Sequence, residues 1–311
     1  MLKSYLKTVL RILISCITMY IVFDKSGVSF ERLIEAAVNY WLVACAMLVF
    51  WVAEILSSLR CVYIANQLKR RLSLYDAVRA VYIGMWFNQV FPSSIGGDVI
   101  KVGVLKRSLG LKSAIVTAFL SRLGGLFMMM LFFILLYPLY EHYFNKDQML
   151  TDFIIIISTV YIITQFLIVY VSVKFKNLKL GAIGKKFFDP ILGYFSIYGN
   201  ASFLLGQMWT SALVHWGGIF SYVLLALALS LDINIWLVVL VVPVVFLVAL
   251  IPISFAGWGV REAASVWVFG LVGVDAEKAL LLSIGYGVFL VLVALPGLFF
   301  IYKNNEKYTD N

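Results

Sequence analysis

Of the 311 residues, 63% are hydrophobic and only 13% charged, with a mean hydropathy of +0.97; a soluble domain cannot hide that much apolar surface, so composition excludes an ordinary globular protein. The formal charge of +9 does not mark a nucleic-acid binder, because Lys and Arg fall in short clusters between apolar runs, the pattern that sets membrane topology. Cys16, Cys45 and Cys61 lie in apolar stretches without paired spacing, and with only two histidines neither a disulfide framework, a metal site nor a cofactor is expected.

Lys3, Lys7 and Arg11 precede an apolar run from Ile12 to Phe23. The run ends in Val22, Phe23, Asp24 and Lys25 with no small-x-small cleavage site, so Leu6 to Phe23 reads as a retained first helix whose cations snorkel to the cytoplasmic side. A span needs about 20 apolar residues; Tyr40 to Leu68, Lys112 to Pro138, Phe153 to Val173, Gln207 to Leu231 and Ala279 to Tyr302 supply them in turn. Two apolar regions are interrupted. Val78 to Phe91 stops at Pro92 and resumes at Val99, and Ile235 to Ile251 stops at Pro252 and resumes near Val260. A leg of about 15 residues at 1.5 Å each covers only about 22 Å of a core roughly 30 Å thick. The expected fold is therefore all-α and integral to the membrane, with about six transmembrane helices and two re-entrant helical hairpins.

Short cytoplasmic connections carry the Lys and Arg excess. Lys69, Arg70, Arg71 and Arg79 before the first interrupted region, and Lys101, Lys106, Arg107 and Lys112 after it, put both of its ends inside. Lys174, Lys176, Lys179, Lys185 and Lys186 mark another cytoplasmic loop, and Lys303 and Lys307 a cytoplasmic C-terminus. The connections at Asp24 to Glu35, Glu141 to Asp152, Asp232, and Asp275 to Lys278 are mixed or acidic and fall outside. Starting from a cytoplasmic N-terminus, every assignment is met only if each interrupted region enters and leaves on one side. The second hairpin then opens outward.

Pro92-Ser93-Ser94-Ile95-Gly96-Gly97 aligns without gaps to Pro252-Ile253-Ser254-Phe255-Ala256-Gly257, each at the tip of an interrupted region with a full helix on either side. Opposite charge bias gives the two units opposite orientations, an inverted repeat, which places a substrate site near the midplane between broken helices. The expected organisation is an N-terminal anchor helix and outer loop (1–39), repeat 1 with a cytoplasmic-side hairpin (40–138), a linking helix and basic cytoplasmic loop (139–206), repeat 2 with an outer-side hairpin (207–302), and a cytoplasmic tail (303–311).

Ser93 and Ser94 are substrate-binding candidates at the tip, Gly96 and Gly97 allow close backbone approach, and Asp98 stands where an N-cap belongs, with Lys101 in the first turn beyond it. Free amides, a positive dipole end and an ammonium would suit a phosphate; alternatively Asp98 only caps and Lys101 only marks the interface. Ser254 and Gly257 at the second tip precede Arg261 and Glu262, which either neutralise each other or repeat the cation beside a helix start. Trp258 reads as an interfacial anchor rather than a stacking platform. Arg122 lies ten residues into its helix, too deep to snorkel, and needs either Asp98 or a lipid phosphate. Glu54 and Arg60, six residues apart, share no face for direct pairing. Glu54, Asp98 and Glu262 are the candidates for proton coupling. His215 is one turn from Ser211 and suits either a relay or a single interhelical hydrogen bond. No nucleophile with a base, Walker loop or dinucleotide fingerprint appears, so no catalytic residue is assigned.

The run Asn88 to Asp98, Arg122 in the next helix, and Pro252 to Glu262 together resemble the membrane region of the lysylphosphatidylglycerol synthases, which also occurs alone in flippase-like inner-membrane proteins. The resemblance implies lipid flipping by the membrane part and aminoacyl transfer by a soluble C-terminal domain. With the chain ending at Asn311, only the first is expected here. The leading reading is a transporter moving an anionic phospholipid or polyprenyl-phosphate-linked lipid in the inner membrane. The implied partners are that lipid and an enzyme of a lipid-linked glycan pathway, with a homo-oligomer left open and no nucleic acid. The alternatives are a membrane-embedded enzyme modifying a lipid headgroup, with Asp98, Glu262 or Glu54 as acid or base, and a non-transporting partner of a glycosyltransferase.

Overall fold

The computed structural model describes residues 13, 15–24, 38–91, 94–144, 148–174, 197, 200–251, 254 and 256–309. Among these residues the chain is helical, without a strand: α1 (Ser15–Asp24), α2 (Tyr40–Gln67), α3 (Leu74–Val90), α4 (Ser94–Leu109), α5 (Leu111–Leu135), α6 (Tyr137–Tyr143), α7 (Gln148–Lys174), α8 (Ala201–Ala228), α9 (Ile235–Ala249), α10 (Val260–Leu271), α11 (Ala276–Ala294) and α12 (Pro296–Thr309). Five stretches, α2, α5, most of α7, α8 and Ala276–Tyr302, are long and apolar enough to cross a membrane, as the sequence led us to expect. Leu6 to Ile12 and Ile14 of the expected first span, the basic loop from Lys176 to Lys186, and Pro92, Ser93, Pro252, Ile253 and Phe255 lie outside the described residues.

Local chemistry sets the boundaries. Asn39 caps α2 by accepting from the Trp41 and Leu42 amides, and Asn200 caps α8 in the same way through Ser202 and Phe203. Phe91, which precedes Pro92, takes an extended conformation (φ −88°, ψ 150°) and ends α3, because a residue before proline is pushed out of the helical region. The span expected to run unbroken from Ala279 to Tyr302 divides at Leu295. Pro296 has no amide to donate, and the Leu295 amide closes a tighter turn onto the Leu292 carbonyl at 3.2 Å. Pro138 sits at the matching break between α5 and α6.

The order long helix, short leg, tip, short leg, long helix therefore occurs twice, as α2 to α5 and as α8 to α11. The first helices of the two units, α2 and α8, run antiparallel. The Asn39 amide at the start of α2 donates to the Ala228 carbonyl at the end of α8 (2.8 Å), and the Tyr63 hydroxyl near the end of α2 donates to the Ser202 carbonyl at the start of α8 (2.8 Å). Small residues let these two helices approach: a Cβ on Gly217 would lie 2.6 Å from that of Ala53, and the Ser221 hydroxyl donates to the Ala46 carbonyl at 3.1 Å. Packing of this kind replaces the hydrophobic drive that lipid, as apolar as the side chains themselves, does not provide.

The core runs through α2, α5 and α8 to α11, with Phe133, Tyr222, Phe269 and Phe289 buried in it, and the Tyr140 hydroxyl ties α6 to the Leu240 carbonyl of α9 at 2.6 Å. By contrast α7 exposes Phe153, Ile156, Val160, Ile163 and Leu167, the surface a spanning helix turns to lipid. The short α1 packs on the second hairpin: Val22 clusters with Leu280, and a Cβ on Gly259 would stand 2.8 Å from the Ser15 carbonyl. Gly259 also holds φ +84°, so glycine is required there on both counts.

Candidate functional site

The two hairpin tips meet. The Ala256 amide of the second donates to the Phe91 carbonyl of the first at 3.3 Å, and around this junction lies a cavity of about 480 Å³, within the roughly 300 to 1,000 Å³ range of small-molecule sites. Its wall takes Glu54 and Arg60 from α2, Asn88 from α3, Gly97, Asp98 and Lys101 from α4, Arg122 and Gly125 from α5, His215 from α8, Ala256 and Gly257 from the second tip, and Arg261 from α10. Four cations thus face Glu54 and Asp98, with Glu262 behind Arg261, leaving one positive charge in excess among these groups.

The first tip is built by glycine packing, and this corrects one expectation. α4 begins at Ser94, so Asp98 is not an N-cap and Lys101 is not in the first turn. Gly97 serves the crossing of α3 with α4: its amide donates to Asn88 Oδ1 at 2.9 Å, and a Cβ there would collide with that oxygen and with the Gly84 carbonyl. Gly96 packs under the Phe91 ring in the same way. Asp98, one turn into the helix, instead forms an ion pair with Arg122 of α5. Of the two partners open to Arg122 on sequence grounds, the carboxylate holds it in this state. Lys101 lines the cavity two turns into α4, where its positive field and that of Arg60 both reach Glu54.

The second tip keeps its cation at the helix start, but the anion seat is already occupied. Glu262 Oε2 accepts from the Gly259 amide at 2.6 Å, while Oε1 takes Arg261 Nη2 at 2.5 Å, Arg261 Nε at 3.0 Å and the Ser283 hydroxyl at 3.3 Å. The Arg261 guanidinium lies 4.8 Å from the Trp258 ring, so Trp258 serves as a platform for this cation. Gly287 on α11 leaves room for this stack, since a Cβ there would meet Arg261 Nη2 and stand 2.5 Å from Trp258. Gly257 lines the cavity, whereas Ser254 is buried, 2% exposed, beside the junction.

The two pairs differ in wetness. Arg122 and Asp98 keep 33% and 37% of their side-chain surface exposed, against 5% and 0% for Arg261 and Glu262. Opening the first toward another anion costs little, since a solvent-reached ion pair is worth about 0 to 1 kcal/mol. Stripping one partner from the dry pair costs about 3 to 5 kcal/mol.

Arg60 is the wall residue that sequence reasoning weighed only as a partner for Glu54 and did not assign to the site. Its guanidinium is buried and donates to Ser121 (3.1 Å), Ser211 (2.9 Å) and Ser57 (3.5 Å), joining α2, α5 and α8. The available signal was one arginine deep in an apolar helix, with a serine one turn before it and serines in two other apolar helices. Ser211 is thereby engaged by Arg60, and His215 turns instead to the Gly125 carbonyl at 2.8 Å, the interhelical bond rather than a relay.

No curated protein and no solved structure matches the chain. One family does, along nearly its whole length, and it is one of lipid-related function in the membrane: over residues 8–297 the chain belongs to the family of the lysylphosphatidylglycerol synthase TM region.

Proposed function

We propose that this protein moves an anionic lipid, phospholipid or polyprenyl-phosphate-linked, between leaflets of the cytoplasmic membrane, acting as a transporter and not as an enzyme, with both termini inside. The observation that carries the reading is the convergence of both hairpin tips and four cations on one cavity within the apolar helices. A phosphate is the group that four such donors suit. Arg122 makes the first contact, because exchanging Asp98 for a lipid phosphate trades one half-wet ion pair for another. Arg261 makes the later one, when Glu262 gives it up. Protonation of Asp98 or Glu262 frees the neighbouring guanidinium and couples the step to a proton, with Glu54 the third carboxylate on the path. The inverted arrangement lets the two hairpins open to opposite sides in turn.

The test is transport in liposomes. Purified protein should speed leaflet exchange of a fluorescent phosphatidylglycerol relative to empty vesicles and to phosphatidylcholine. Arg122→Gln should abolish the gain with thermal stability near that of the parent, and Lys101→Ala and Arg261→Ala should slow it. Equal rates for both lipids, unaffected by any of the three substitutions, would rule the phosphate site out.

A further inference from the structure

A lipid headgroup enters a protein-enclosed cavity only if its chain, which stays in the hydrocarbon, passes between two helices. The cavity wall contains a seam of that kind. Where α5 meets α8 and α9, a narrow apolar crevice of about 10 Å³ is lined by Met128, Met129, Phe132, His215, Trp216 and Pro243 among others. Met129, His215 and Phe246 border both the crevice and the central cavity, so these side chains form the partition between the two. At its outer end Trp216 is 46% exposed toward the membrane.

The seam is held by a bond and a ring contact. His215 Nε2 bonds to the Gly125 carbonyl at 2.8 Å, and Phe132 meets Trp216 edge to face with centroids 5.2 Å apart. The antiparallel units repeat this device where α2 meets α11. There Trp51 Nε1 donates to the Val293 carbonyl at 3.1 Å, and Phe50 meets Phe289 edge to face at 5.6 Å. That second seam is sealed, with Phe289 and Val293 fully buried. The α5–α8 seam differs in having an exposed ring, two flexible methionines and, at Gly125, no side chain on the cavity face.

We infer that the α5–α8 seam is a lateral gate that admits the hydrocarbon chain of the lipid whose headgroup occupies the central cavity; this rests on the headgroup reading above. A crevice of this volume is closed to a methylene chain, so the structure is the shut state. Opening needs the His215 bond released and the Phe132 and Trp216 rings parted, a movement at the edge of the core to which Met129 and Phe132 belong.

Two measurements on the full chain in nanodiscs test the gate. Phosphatidylglycerol carrying a diazirine at the end of one acyl chain is photolysed and its adducts mapped by mass spectrometry. Adducts are expected on Met129 and Ile219, which are buried and out of reach of surrounding lipid, as well as on lipid-facing residues such as Ile156 and Ile163. In a background lacking Cys16, Cys45 and Cys61, Phe132→Cys with Trp216→Cys is bridged by a reducible thiol crosslinker. The lock should abolish the Met129 and Ile219 adducts and leaflet exchange, and reduction should restore both, so misfolding is not the cause. Binding of glycerol 3-phosphate, a headgroup without a chain, should persist in the locked protein. Adducts confined to lipid-facing residues, or exchange undiminished by the lock, would overturn the gate whether or not glycerol 3-phosphate binds. Absence of glycerol 3-phosphate binding in the unlocked protein strikes at the headgroup site instead.

Discussion

Replacing Glu262 by glutamine separates the two tip ion pairs by energy. The substitution keeps volume and leaves an oxygen to accept from the Gly259 amide, 2.6 Å away in the parent, but it strips Arg261 of its carboxylate. With Arg261 and Glu262 at 5% and 0% side-chain exposure, the stranded guanidinium should cost about 3 to 5 kcal/mol, nearer the lower bound because Trp258 and a neutral acceptor remain. Asp98→Asn removes the same charge from a pair one-third exposed, and should cost no more than about 1 kcal/mol. Unfolding free energies measured by steric trapping in bicelles at neutral pH give the comparison directly. A second arm exploits the vacancy: phosphatidylglycerol bicelles should recover part of the Glu262→Gln loss, because a lipid phosphate can take the place of the carboxylate, and phosphatidylcholine bicelles should not. Equal losses for the two variants, or a loss indifferent to lipid charge, would refute the account of a dry, latched second tip beside a wet, exchangeable first one.

Gly287→Ala puts a methyl against Arg261 Nη2 and 2.5 Å from Trp258; it should destabilise by about 1 to 3 kcal/mol and reduce transport in step, measured by thermal unfolding and leaflet exchange. Gly285→Ala on the same helix meets only a Leu229 methyl at 3.0 Å and should leave both readouts near the parent. Ser254→Cys, in a background free of native cysteines, should resist an impermeant maleimide because the position is buried, and reaction should rise in combination with Glu262→Gln and from the outer side alone. Reaction from the inner side would contradict the opposed orientation of the hairpins.

Much of the architecture was legible because hydrophobic length and proline placement are local signals. Tyr40 to Leu68 and Lys112 to Pro138 came out within a few residues of α2 and α5, since their limits follow from apolar run length and terminal chemistry. The tips were located by Pro92 and Pro252 for the same reason. The register beyond the first tip was not legible. Two glycines before an aspartate look like a turn ahead of an N-cap, and nothing local announces that Gly97 is needed inside a helix so that α3 can cross it at Gly84. Once α4 starts at Ser94, Asp98 moves onto the face of Arg122 and Lys101 onto the face of Glu54. The role of Arg60 was hidden for a related reason: its hydroxyl partners come from positions 57, 121 and 211, and only tertiary packing brings three helices to one guanidinium.

The meeting of the tips also bears on how far a headgroup has to travel. Because Ala256 touches Phe91 across the junction, the wet pair on α4 and α5 and the dry pair on α10 border one cavity, and a phosphate released by Arg122 need not cross bare hydrocarbon to reach Arg261. Unassisted passage of a charge through the bilayer centre is expensive, whereas in the transport proposed above each step would exchange one anion for another beside a fixed cation. The barrier then shifts from desolvating the phosphate to parting Arg261 from Glu262, a dry ion pair supported by the Gly259 amide and the Ser283 hydroxyl. Loosening that pair without removing its charge should therefore raise the rate of exchange. Ser283→Ala deletes one donor to Glu262 Oε1, leaving Arg261 and the Gly259 amide in place, and should cost about 0.5 to 1.5 kcal/mol of stability. If latch release limits transport, leaflet exchange of phosphatidylglycerol in liposomes should quicken in this variant. An unchanged or slower rate at preserved folding would put the limiting step elsewhere.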